Sequence, residues 1–375
     1  MKKYLLTPGP TVLPPFVQEA LSRPIIHHRT PQFGAILKEV GNGLKYIFQT
    51  KEPVFLIASS GTGAMEAAVA NVASIGDTVI TVEAGKFGER WTEIATAYGL
   101  LPKAIKLEWG TALTATDVEN ALKNNPNAKA VFVTHCETST GVDIDIKSIA
   151  KITQKSNALL VVDAISSMGV SPLKMDEWGV DIVVSGSQKG LMLPPGLGFI
   201  ALSQRTWKWV DEAKTNRYYL DLRKYKKVVD KPDTPFTPAV GLIIAMKEVC
   251  EYYKEKGIEN MWAGFEKLAK ASRAAFESMG LRIFAQQPSN GVTAVNVPDG
   301  VDSAAMVKFM RDGLGVTMAG GQAQLKGKIF RMAHMGYIEA FDIITGVAAV
   351  EAALAKFGFT IKASGVSAAE KVLLG

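Results

Sequence analysis

Cysteine is almost absent from this chain: 375 residues contain only Cys136 and Cys250. Two such thiols exclude a disulfide framework and show no metal-ligand spacing. Histidine is nearly as scarce, and His27, His28, His135 and His334 form no zinc-binding pattern. No apolar run approaches the roughly 20 residues of a membrane span, so no membrane partner is expected. The start, MKKYLLTPGP, meets proline after three apolar residues and lacks the apolar core of a signal peptide. A cytoplasmic setting is the expectation. Charge is not one-sided either, with 42 basic and 36 acidic residues giving +6. The densest basic run, RKYKKVVDK at 223–231, contains an Asp, and no nucleic-acid module accompanies it. It reads as a solvated loop, and no nucleic-acid partner is expected.

What remains is the composition of a soluble enzyme, 47% hydrophobic and 21% charged, long enough for two domains. Short apolar strands at 54–58, 78–82, 101–107, 130–135, 158–164, 181–186 and 199–203 alternate with helical patterns. Continuous Val/Ile runs between helices imply an α/β fold with a mostly parallel sheet covered on both faces. Beyond Gly257 the order changes: a helix, strands LRIFA and GVTAVNV, a helix, GVTMAGG, the strand KIFRMAH and a final helix at 338–356. The organisation expected is an arm at 1–14, a large α/β domain at 15–256 and a small α+β domain at 257–375.

Such sheets bind ligands beyond the carboxyl ends of their strands. Three motifs stand there. ASSGTGAMEAA ends a strand in a Ser/Gly turn and starts a helix, which makes an anion site from Ser60, Gly61 and Thr62. An ordinary capped helix has the same pattern. ALLVVDA places Asp163 at a strand end, where a carboxylate needs a cation or several donors; capping the next turn is the plainer role. VVSGSQKGLMLPPGLGF sets Lys189 alone between two buried strands. A desolvated lysine loses its proton readily and becomes a nucleophilic amine. A phosphate cradle, an acid for a pyridine nitrogen and an amine are what an aldehyde cofactor of the pyridoxal type requires. Phe87 in AGKFGERW could stack on a flat ring or belong to the core. Arg331 in KIFRMAH suits a carboxylate or a structural ion pair. His334 has no role assigned.

Together TPGP, HHRTPQFG, SSGTGAMEAAVAN, AGKFGERW, THCETSTGV, VVDAISSMG, SGSQKGLMLPPGLGF, TPFTPAV and FRMAHMG resemble the class V (fold-type I) pyridoxal-phosphate aminotransferases. The resemblance is to the alanine–glyoxylate and serine–glyoxylate (serine–pyruvate) subgroup and runs from about residue 5 to about 355. It implies pyridoxal 5'-phosphate as cofactor, with Lys189 as the Schiff-base lysine. Gln188, Ser60, Gly61 and Thr62 would hold the phosphate, and Asp163 would pair with the ring nitrogen. Ile165 and Phe87 would lie on the two ring faces, and Thr138 would reach the ring hydroxyl. Thr237 would contact the phosphate from a neighbouring subunit, which makes a homodimer with shared sites. Arg331 would bind the substrate carboxylate, with Gly9 lining that pocket. Some relatives carry a Tyr shortly before the Thr of TPFTPAV; here the place holds Thr234 or a neighbour.

The resemblance implies amino transfer from a small L-amino acid, alanine or serine, to glyoxylate or pyruvate. No second arginine follows for a side-chain carboxylate, unless Arg29 points into the site. Aspartate or phosphoserine aminotransferases are the alternatives of the same class. A cysteine desulfurase needs a mobile-loop cysteine as sulfur acceptor, which GVTMAGGQAQLKGKIF lacks, and neither Cys136 nor Cys250 is placed for that role. A non-catalytic subunit of a redox complex would have no need of Lys189, Asp163 and Arg331 together.

Overall fold

A computed structural model describes residues 2–231 and 233–375. Seven strands form one sheet in the spatial order Val54–Ile57, Gly198–Leu202, Ile182–Gly186, Leu159–Asp163, Ala130–Thr134, Thr78–Glu83, Leu101–Lys106. All seven expected strands are there, with their ends shifted by no more than about one residue. The period of two sorts each strand's side chains between the faces. Leu160 and Val162 enter one core cluster, Leu159 and Val161 the other. The edge strand Leu101–Lys106 is the exception, half exposed and carrying Pro102 and two lysines, which discourages further pairing.

Six strands point the same way, and Gly198–Leu202 runs against both of its neighbours. The loop 187–197 explains this. A parallel return needs a crossover of about a dozen residues or more, usually with a helix, and this loop has no room for one. The chain therefore doubles back, and Lys189 sits in the bend.

Past Gly257, which has φ +80°, lies a second unit. Strands Val292–Asn296, Ile329–Ala333 and Ala319–Gly320 form an antiparallel sheet with Ile329–Ala333 in the middle. Helices Ile258–Ser278, Ser303–Gly313, Ala340–Lys356 and Gly365–Leu374 build a core with it that is separate from the two around the large sheet. One expectation fails here. LRIFA is no strand; a single bridge, Ile283 to Val295, joins it to the sheet. GVTMAGG yields two two-residue strands in different sheets.

The N-terminal arm ties the two units together. Tyr4–Leu5 pairs in parallel with Val316–Thr317, and Leu6 accepts from the Ala333 N–H. Five residues on, the Thr11 N–H donates to Gln188 O and its hydroxyl to Lys189 O. The residues between pass directly over Lys189.

Candidate active site

The carboxyl ends of the parallel strands converge on a cavity of about 210 Å³. Ser60, Gly61 and Thr62 reach it from the end of Val54–Ile57, where the helix Gly61–Val72 begins. Its first N–H groups have no partner within the helix and, with the dipole, favour an anion. Phe87 enters from the first turn of the helix Lys86–Ala97. Thr138 follows Ala130–Thr134, and Asp163 and Ile165 stand at the end of Leu159–Asp163. Gln188 and Lys189 come from the bend, and Gly9 from the arm.

Lys189 is walled in. Its ammonium donates to the Pro8 carbonyl, and its stem leaves no space for a side chain on Gly9. Burial pulls the amine down to about 8; Arg331 and Arg90 add to the fall, while Cys136 and Asp163 oppose it. Burial pushes the Asp163 carboxyl up to about 7, against a bond of 2.8 Å from the Ile165 N–H. An acid with that environment is ready for a cationic partner such as a protonated ring nitrogen. Gln188 Oε1 is buried without a partner, and Ile165 packs so close to Gly61 that a Cβ there would lie 2.5 Å from Ile165 Cδ1. The backbone cradle fits a phosphorylated ligand, and the Gln188 amide, turned so that its NH2 takes the place of the unpartnered Oε1, would donate to it.

Arg331 does not line this cavity; it stands behind Thr138. Its Nη1 donates to Thr138 O at 2.9 Å, and Nε and Nη2 donate to Gly320 O at 3.1 and 2.8 Å. Of five guanidinium N–H groups two remain, one on each terminal nitrogen, enough for one bidentate carboxylate. Among the described residues no carboxylate pairs with it, which sets aside the structural ion pair. Burial lowers the guanidinium to about 10.

Thr237 lies outside the chain's own cavity, exposed on the segment before the helix Val240–Lys256. Arg29 is outside too, largely exposed and paired with Asp233 at 3.1 Å. His334 is a satisfied core histidine, between Thr293 Oγ1 and Asn290 O. Among the described residues no cluster of three or more His, Cys, Asp or Glu could hold a metal.

The cavity also holds residues the sequence did not reveal. Cys136 is in its wall, with its thiol 3.0 Å from Ser289 Oγ and its pKa pushed up by burial. Ser166 bonds Thr138 at 2.6 Å. Arg90 lies 5.0 Å from the Phe87 ring centroid and donates to Thr62 Oγ1 at 3.4 Å, with no carboxylate partner among the described residues. It is a second arginine at the site, in addition to Arg331.

Residues 4–338 match the model of the family described as "Aminotransferase class-V". A soluble hydrogenase small subunit of Synechococcus sp. is 41% identical, over 99% of this chain and 98% of its own length. An L-aspartate–glyoxylate aminotransferase of Paracoccus denitrificans is 36% identical, covering 98% and 95%. A serine–glyoxylate aminotransferase of Hyphomicrobium methylovorum is also 36% identical, covering 98% and 93%. Among solved structures, ureidoglycine–glyoxylate aminotransferase from Bacillus subtilis superposes with a TM-score of 0.95 at 29% identity, covering 100% and 99%.

Proposed function

The chain belongs to the class V aminotransferases, and from that premise we propose that it moves an amino group from a small L-amino acid to glyoxylate. The observation that carries this reading is the convergence of Lys189, Asp163 and the Ser60–Thr62 cradle in one cavity, with the unpaired Arg331 behind it. Pyridoxal phosphate, the cofactor, supplies an aldehyde that captures amines and a conjugated ring that takes up electrons when an α-proton leaves.

The chain's residues do the rest. The amides and hydroxyls of Ser60–Thr62, with Gln188, hold the phosphate. Asp163 keeps a proton on the ring nitrogen, and Phe87 and Ile165 clamp the ring, with Thr138 beside its hydroxyl. Lys189, its amine pulled down by burial, would take the proton from the substrate's α-carbon and deliver it to the carbon on the far side of the substrate nitrogen. Arg331 grips the α-carboxylate and fixes which bond faces the lysine. Thr237, exposed and outside the chain's own cavity, fits contact with a second copy's phosphate, so the enzyme is read as a homodimer, and its setting, from the scarcity of cysteine, as cytoplasmic. We place the large domain at 15–256 and the small one from Gly257.

The aspartate, serine and ureidoglycine relatives are all named for glyoxylate and differ in the amino compound named with it. Alanine and serine need only Arg331. Arg90, a cation without a carboxylate partner, favours a second reading in which the donor is aspartate. The catalytic set is complete, which supports an enzyme over a non-catalytic subunit of a redox complex.

The test is a half-reaction panel: alanine, serine, aspartate or phosphoserine is added to the loaded enzyme, and loss of its visible absorbance is timed. Alanine or serine reacting faster than aspartate supports the first reading. Aspartate reacting faster, with its preference lost in Arg90→Ala, supports the second.

A further inference from the structure

The helix Lys86–Ala97 begins at Gly85 with no side-chain cap of its own. Its first three amides are instead satisfied from a different loop. Glu137 Oε2 accepts from the Gly88 N–H at 2.8 Å and from the Phe87 N–H at 3.1 Å, while Oε1 lies 3.3 Å from the same Phe87 nitrogen. Ser139 Oγ accepts from the Lys86 N–H at 3.0 Å and donates to Glu137 Oε1 at 2.5 Å. The Ser139 N–H donates to that oxygen too, at 3.2 Å. Glu137 is completely buried, and the junction is so tight that a Cβ on Gly85 would lie 2.5 Å from Glu137 Cδ and Ser139 Oγ.

A buried carboxylate is costly unless several donors meet it, and here the start of a helix provides them, with the dipole aiding the negative charge. The two capping residues flank Thr138. Phe87, on one side of the site, and Thr138, on another, are thereby held in register by one carboxylate. The same charge favours the protonated state of Arg331.

We propose that Glu137 is a positioning residue: it sets the Phe87 ring against the cofactor face and holds Phe87 and Thr138 at a fixed separation. This rests on the cofactor reading above. Glutamine cannot replace it, because an amide NH2 would face backbone N–H donors.

The test is a double-mutant cycle on pyridoxal phosphate dissociation, followed by absorbance in the wild type, Glu137→Gln, Phe87→Ala and the double variant. Glu137→Gln is expected to raise the dissociation constant about tenfold in the wild-type background and less than about twofold in the Phe87→Ala background. A role in general stability would weaken binding equally in both. Ser139→Ala keeps the carboxylate and removes one donor, and it decides the question for a Glu137→Gln chain that does not fold. Its smaller loss is expected to vanish in the same way without Phe87. Tight wild-type binding with equal losses in the two backgrounds overturns this inference alone. A wild type that binds no pyridoxal phosphate overturns the cofactor reading with it.

Discussion

Gly9 and Lys189 are in contact: a methyl group on Gly9 would stand 2.6 Å from Lys189 Cε and 2.7 Å from its Nζ. Gly9 has φ +114°, a conformation other residues avoid, and Thr11 pins the chain just beyond it. The arm cannot move aside without losing its bonds to Gln188 and Lys189. Gly9→Ala is expected to add about 1–3 kcal/mol of strain and slow cofactor loading at least about tenfold. Loading followed by absorbance, beside a thermal melt, checks this. The melt should fall by only a few degrees, as strain of that size implies for a chain of this length, and residues 4–6 still hold the arm to the small sheet.

The Lys189 amine, held at about 8, gives a pH signature. Only the neutral amine attacks an aldehyde, and a lowered pKa means that form dominates above about 8 and is lost as pH falls through it. The rate of pyridoxal phosphate loading is expected to rise with pH to a plateau just above 8. A rate still climbing at about pH 10, as for an ordinary lysine, would contradict the burial argument.

Arg331→Ala removes the carboxylate anchor but leaves the cavity walls intact. Losing one partner of a buried bidentate pair costs about 2–5 kcal/mol, so the donor's KM is expected to rise about thirtyfold or more. Cofactor affinity should stay within about twofold, since Arg331 stands behind Thr138 and outside the cavity. Steady-state kinetics with a parallel binding titration separates the two. Arg331→Lys should recover only part, for lysine has no fork.

Asp181 anchors the opposite end of the strands that carry Asp163 and Lys189. It is buried and accepts from the Leu160 N–H, Ser203 Oγ and the Arg205 guanidinium. Asp181→Ala leaves a buried N–H unpaired and is expected to cost about 2–3 kcal/mol of stability. Denaturant unfolding measures this. The donor's KM should be unchanged, because Asp181 touches nothing in the site.

The large sheet was legible because its inner strands are buried on both faces and read as apolar runs bounded by glycine, serine or charge, unlike the half-exposed edge Leu101–Lys106. Lys189 and Asp163 stood out against those runs for the same reason. Arg90, Cys136 and Glu137 did not, since each looks like an ordinary member of its segment. What marks them is contact with distant chain: Arg90 with Thr62, Cys136 with Ser289, Glu137 with Gly88. LRIFA was misread because its apolar residues suit a strand, yet only Ile283 pairs as one. The helix Gly365–Leu374 escaped notice: it is short, and its place depends on packing against Ile258–Ser278 and Ala340–Lys356. Thr237 and Arg331, assigned by resemblance, lie outside the cavity that the other site residues share.

The central claim is that Lys189 is the amine that captures the cofactor. Purified wild type and Lys189→Ala, each incubated with pyridoxal phosphate and then desalted, test it by absorbance. The wild type should retain a visible band that alanine, serine or aspartate bleaches, and Lys189→Ala should lose that band on desalting. A wild type without the band, or a Lys189→Ala protein that keeps it unchanged, would contradict the account.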